Sequence, residues 1–92
     1  MTFTPLPEIA RLFAAQQANR WRVARSTAAE RAAKLARLGA AIEAHRDAIA
    51  AAAYADFRKP AAEVEITEIH PTLAEIRLAR GKVASWMRPR RV

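Results

Sequence analysis

Apolar residues recur along this chain at intervals of three and four nearly throughout, the spacing of one face of an α-helix. The first such stretch runs from about Pro7 to Arg25. Ile9, Leu12, Phe13 and Gln16 fall on one face of it, and Pro7 suits a first helical turn, where its missing N–H costs nothing. The second stretch carries a start signal. Thr27 followed by Glu30 fits a capping box, in which each side chain satisfies a free backbone N–H. Leu35, Leu38, Ile42, Ile49 and Ala52 then form one stripe. That stripe predicts a single helix over residues 27–55, about 40 Å long at the usual rise per residue. His45 interrupts the stripe and is expected to be a half-buried seam residue.

The stretch "DFRKPAAE", residues 56–63, punctuates the pattern. Lys59 precedes Pro60 and is biased away from helical angles. A third helix is predicted over residues 61–87, with Ile66, Ile69, Leu73, Ile76, Val83 and Trp86 on its stripe. Pro71 falls inside it. Either the helix kinks there, or His70 ends one piece and Pro71 opens another. Beyond Met87, Pro89 restrains Arg88 and the chain is expected to run extended. The predicted fold class is therefore all-α: three long amphipathic helices over about 7–25, 27–55 and 61–87, in one unit spanning residues 1–92. No internal repeat stands out, beyond the alanine run at 50–53.

Composition changes the picture in one respect. The 92 residues make one small domain at most, and 24 of the 48 apolar residues are alanine. Alanine favours helix but buries little surface. Such a chain forms long helices easily and a self-sufficient core with difficulty. The absence of cysteine removes disulfides, thiolate nucleophiles and cysteine-based zinc sites together, and suits a cytoplasmic protein. No run approaches the roughly 20 apolar residues of a membrane-spanning helix. The start, "MTFTPLPEIARLF", lacks a basic stretch followed by an apolar one, so no signal peptide is expected.

The net charge of +7 is uneven: residues 1–55 carry +4, residues 56–75 carry −3 and residues 76–92 carry +6. A nucleic-acid binder usually presents one continuous basic face, and here an acidic segment interrupts it. The same segment argues against a uniformly basic helix lying on a membrane surface.

Each candidate chemistry has a plainer reading beside it. His45 and His70 are the only imidazoles. A metal site would need them to converge with carboxylates such as Asp47 or Glu68, and nothing in the spacing forces that. His70 reads as a helix-entry residue before Pro71. Glu63, Glu65, Glu68 and Glu75 could suggest acid–base work, which needs two carboxylates held across a cleft with separated pKa values. Glu68 and Glu75 share a helix face, and negative charge near a helix start explains the group better. "NRWRVAR", residues 19–25, interleaves arginine with Trp21. Arginines neutralise phosphates and an indole stacks on a base. The preferred reading is a helix end, where cations complement the dipole and Trp21 anchors the turn. No phosphate-binding glycine loop or nucleophile–base spacing occurs. No residue is assigned a catalytic, cofactor-binding or metal-binding role.

One stretch nevertheless has a familiar order. "KLARLGAAIEAHRDAIAAAAYADFRKPAAEVEITEIHPTLAEI" begins with a basic, leucine-rich helix carrying Leu35 and Leu38, and runs into alanines. An element Ala52, Asp56, Lys59, Pro60, Glu63 follows, then Glu68–Ile69 and Glu75–Ile76, and "WMRPRRV" from Trp86 to Val92. This order resembles the N-terminal helices of the NAD(P)-dependent aldehyde dehydrogenase superfamily, in its class-3-like, coniferyl-aldehyde-type branch. The resemblance covers nearly the whole chain, most firmly residues 30–92. It implies an N-terminal part of a larger α/β enzyme, with "WMRPRRV" leading toward the strands of a cofactor-binding region. The family's catalytic cysteine, general-base glutamate and oxyanion asparagine lie further along such enzymes, and none maps onto this chain. NAD or NADP belongs to the family and is expected to be bound elsewhere than here. The implied role is helical packing. The partners would be the remainder of that fold, or a second copy meeting through exposed apolar stripes; no membrane partner is expected. Marginal stability follows from the same exposure. The reading from a different class is a small basic helical protein that binds nucleic acid through Arg20, Arg22, Arg25, Arg88, Arg90 and Arg91, with affinity falling steeply with salt.

Overall fold

The computed structural model of the chain describes residues 2–91, and every regular element among them is helical. Helix α1 spans Leu6–Ala24, α2 Ala28–Ala44, α3 Arg46–Phe57, α4 Ala61–Val64 and α5 His70–Trp86, with a π-helical turn over Glu65–Ile69 joining α4 to α5. Pro5 stands at the N-cap of α1 and Pro7 in its first turn, positions where no backbone donor is wasted. The start of α2 falls where the cap signal placed it: the Glu30 N–H donates to Thr27 Oγ1 at 3.1 Å.

The single helix expected over 27–55 is two helices. His45 sits between them at φ −108°, ψ 15°, outside the helical well. Its N–H is shared between the carbonyls of Ala41 and Ile42, and its ring Nδ1 lies 2.7 Å from the same Ala41 oxygen. A carbonyl only accepts, so Nδ1 carries a proton there. The ring competes with the backbone for that oxygen and the last turn of α2 loosens. His45 is exposed rather than half-buried, because the break turns it off the seam. The break also re-phases the stripe. Leu35, Ile42 and Ile49 pack on the core, whereas Leu38 is 51% exposed and Ala53, not Ala52, is the buried alanine.

Arg58 ends α3 in the left-handed region at φ 60°, ψ 27°. A side chain is disfavoured there, and the Arg58 guanidinium stacks 5.2 Å from the centroid of the Tyr54 ring, which offsets part of the cost. Lys59 and Pro60 turn the chain, and Pro60 is the N-cap of α4.

From Ala61 to Trp86 the chain is helical, as the third stripe predicts, with its irregularity one turn before Pro71. Proline lacks the N–H that a regular helix needs at this point and crowds the carbonyl four residues back. The His70 N–H reaches back to the Glu65 carbonyl, an i→i+5 bond, and the turn widens by one residue. This corrects the stripe at Ile66, and Trp86 at its far end is exposed as well. Val64 and Ile69 are five apart and would diverge on a straight α-helix. The wide turn brings both inward, Val64 to 0% exposure, and leaves Ile66 at 70%.

The core consists of Ala53, Val64, Ile69, Leu73 and Ile76, with Leu35, Ile42, Ile49 and Ala50 packed against it. Helix α2 packs along α5, and α3 folds onto α4. At Gly39, where α2 approaches α5, an added Cβ would lie 3.5 Å from Ile76 Cγ2, an ordinary contact; at Gly81 nothing lies within 4 Å. Gly81→Ala is therefore expected to raise stability by about 1 kcal/mol through helix propensity alone. A higher thermal midpoint by circular dichroism checks this.

Helix α1 buries no residue, and Arg20, Val23 and Ala24 at its C-terminal end face α2 and α5 across a shared groove. The radius of gyration is 17.3 Å, against about 12 Å for a compact chain of this length.

Candidate functional site

The place where chemistry-bearing side chains gather is the corner where the end of α1, the start of α2 and the end of α5 meet. The turn between α1 and α2 is held by Ser26 and Arg31. Ser26 is the one buried polar residue among those described, at 7% exposure. Its hydroxyl donates to the Val23 carbonyl at 2.6 Å and accepts from Arg31 Nε at 2.9 Å. Arg31 Nη2 donates to the Ala24 carbonyl at 3.0 Å and the Val23 carbonyl at 3.4 Å. The last carbonyls of α1 have no partner within their own helix. One guanidinium from α2, with the Ser26 N–H and hydroxyl, satisfies those of Val23 and Ala24 and supplies the positive charge that the C-terminal end of a helix favours.

Beside this bracket lies an open groove of about 660 Å³. Val23, Leu35, Ala79, Val83 and Trp86 make it largely apolar, and Arg20, Arg31 and Lys34 bring charge to it. The Trp86 ring is 62% exposed. Such a surface suits an apolar partner with an acidic edge. Ser26 is no nucleophile here: its proton points to a backbone carbonyl and its neighbour is a cation, so no base activates it.

The "NRWRVAR" residues are engaged locally. Arg22 Nε donates to Asn19 Oδ1 at 2.7 Å, and the Arg20 guanidinium lies 4.9 Å from the Trp21 ring centroid. Trp21 is 60% exposed and does not anchor the turn, as its sequence position suggested. Ser26 and Arg31 do that instead, because polar groups can satisfy the helix-end carbonyls and an indole N–H, a single donor, cannot reach them all. Arg88, Arg90 and Arg91 follow α5 in exposed, non-helical chain.

The other candidates do not converge. His45 is at the α2–α3 break and His70 at the start of α5, as a helix-entry residue. Among the described residues no three His, Asp or Glu side chains come together to hold a metal ion. Two of the four candidate carboxylates are tied to cations, Glu65 to Arg46 and Glu68 to Lys59 at 3.6 Å, and Arg46 also reaches Glu43 at 3.9 Å; Glu63 and Glu75 are exposed on the helix surface. Such pairs fasten α2, α3 and the wide turn together. Their energy is small where water reaches them.

Glu8, in the first turn of α1, accepts from Arg11 Nε at 2.8 Å and Nη2 at 2.5 Å. The Arg11 guanidinium holds the Glu8 carboxyl below the ordinary carboxylate value. A lowered folded-state value gives support that is complete above the ordinary value and lost as pH falls through the lowered one. The helicity of α1 is therefore expected to decline slightly in acid, and Glu8→Gln to remove that decline in a circular dichroism titration.

Sequence reasoning missed Arg31. One signal was available. A cation in the first turns of α2 opposes its dipole, and a residue placed against a local preference often has a partner elsewhere.

No protein-family profile, no curated protein and no solved structure matches the chain. No helix among the described residues is long and apolar enough to cross a membrane.

Proposed function

We propose that this chain is the N-terminal helical part of an NAD(P)-dependent aldehyde dehydrogenase of the class-3-like type, contributing packing and no catalytic group. The parent reaction oxidises an aldehyde to its acid by attack of a cysteine, hydride transfer to NAD(P)+ and hydrolysis. One observation supports the reading above the others. Several of the residues that carry the resemblance occupy structural joints. Pro60 caps α4, Lys59 is tucked in at 18% side-chain exposure against Glu68, and Ile69 and Ile76 are core. Residues with such duties belong to a packing element. The exposed Leu38, Ile66 and Leu78 side chains, at 51%, 70% and 49%, are faces a larger fold would cover.

The test is complementation. The chain alone is expected to give no reduced cofactor with NAD+ or NADP+ and a panel of aldehydes. Adding it to a class-3-like aldehyde dehydrogenase lacking its own N-terminal helices is expected to restore turnover. Restoration no better than that given by an unrelated helical protein would reject the reading. Turnover by the chain alone, tracking its purity, would reject the packing role.

A further inference from the structure

We infer that α1 is a pairing helix: it docks antiparallel on α1 of a second copy of this chain, and each copy lays its 6–13 half in the other's corner groove. This stands independently of the dehydrogenase reading.

The face of α1 is the first observation. Ile9, Phe13, Gln16, Arg20 and Val23 step by four and three, so they share one side of the helix. The far end of that side, Arg20, Val23 and Ala24, already lines the groove. The near end is unpartnered: Leu6 is 80% exposed, Phe13 65%, Ile9 48% and Leu12 45%. An antiparallel neighbour centred near Gln16 brings the near end of one helix beside the far end of the other. The apolar half of each then meets Val23, Leu35, Val83 and Trp86 of its partner. The contact is isologous and closes at two copies.

Area is the second. The chain exposes 7791 Å², whereas a compact monomer of this mass exposes about 5,300 Å². The surplus is several times the roughly 800 Å² per partner that a stable dimer requires.

Charge is the third. Near its start α1 carries Glu8 paired with Arg11, a neutral couple, whereas Arg20 and Arg22 lie near its end, with Arg25 just beyond. Antiparallel docking sets the neutral Glu8–Arg11 end of each copy beside the cationic end of the other, keeps the two cationic ends apart, and opposes the two helix dipoles favourably. Parallel docking would crowd six arginines at one end.

The experiment is sedimentation equilibrium of the full chain over a concentration series. The expected result is one reversible transition between 10.2 kDa and twice that mass. Ile9→Lys combined with Phe13→Lys is expected to raise the dissociation constant about 100-fold or more. The α2–α5 core should be unchanged by circular dichroism, because α1 buries nothing in its own chain. Orientation is read by cysteine cross-linking, since the chain has no cysteine of its own. Gln16→Cys, near the two-fold axis, is expected to cross-link to itself under mild oxidation. Leu6→Cys is expected not to, as its two copies would stand about 30 Å apart. A monomer at every concentration, an open ladder of larger species, indifference to the lysine pair, or cross-linking at Leu6→Cys in place of Gln16→Cys would each overturn the proposal.

Discussion

Leu73→Ala is expected to unfold the α2–α5 packing at 25 °C, with loss of most of the helical signal. Leu73 is 5% exposed and belongs to a core of five buried apolar residues among those described. Removing a buried leucine side chain costs about 2–5 kcal/mol, from lost transfer energy and the cavity left behind. A small domain seldom holds more than about 3–5 kcal/mol from a single core. The loss therefore matches the whole. Its neighbours cannot close the gap easily: Ile69 and Ile76 are fixed on the same helical run, and beside Leu73 α2 offers the small residues Ala36, Gly39 and Ala40. Ile66→Ala is the control. It removes an apolar side chain of similar size that is 70% exposed, so the urea midpoint should barely move. Equal effects of the two substitutions would contradict the core described above.

Arg31→Ala has the second largest expected effect, on one joint rather than on the whole chain. Its guanidinium closes the end of α1 through the Val23 and Ala24 carbonyls and Ser26 Oγ. Hydrogen bonds from a charged donor contribute about 1.5–3 kcal/mol to such a joint. Exchange of the amides in the last turn of α1 and in the 25–27 turn is expected to accelerate roughly 10- to 100-fold, while amides of α5 around Leu73 keep their protection. Arg31→Lys should rescue little. An ammonium cannot span three acceptors in one plane as the guanidinium fork does. Rescue by lysine would mean that charge near the helix end, and not the fork, holds the corner.

Much of the helical layout was legible because helix formation is mostly local. The Thr27 cap, the prolines at 7 and 60, and the three-and-four spacing act within a turn or two of the residues that carry them. The cap bond and the helix entry at His70 and Pro71 follow that logic. The breaks were less legible. His45 opens α2 from α3 because its ring finds the Ala41 carbonyl, a choice of rotamer that spacing does not reveal. The wide turn at 65–69 was half visible: Pro71 announced an irregularity, but not that it would be absorbed upstream by an i→i+5 bond. That one residue of slip moved Val64 in and Ile66 out.

The corner was the least legible part. The arginine-rich run at 19–25 drew attention by composition, yet its Arg22 and Arg20 pair with Asn19 and Trp21 beside them. Arg31 does the joining. Its partners precede it by five to eight residues across a turn, beyond the reach of any helical repeat.

The sequence by itself determined that this protein is helical, where the caps and prolines stand, and that large apolar side chains are too few for an ample core. These are consequences of backbone propensity and composition, which act residue by residue. Only the tertiary structure decided which stripe residues are buried, that α1 is left outside the core with its Ile9–Phe13 face open, and that Arg31 bolts its end to α2. Those outcomes depend on the phase of one helix against another. A single extra residue in a turn, or one ring turned toward a carbonyl, changes that phase while leaving every local preference as it was.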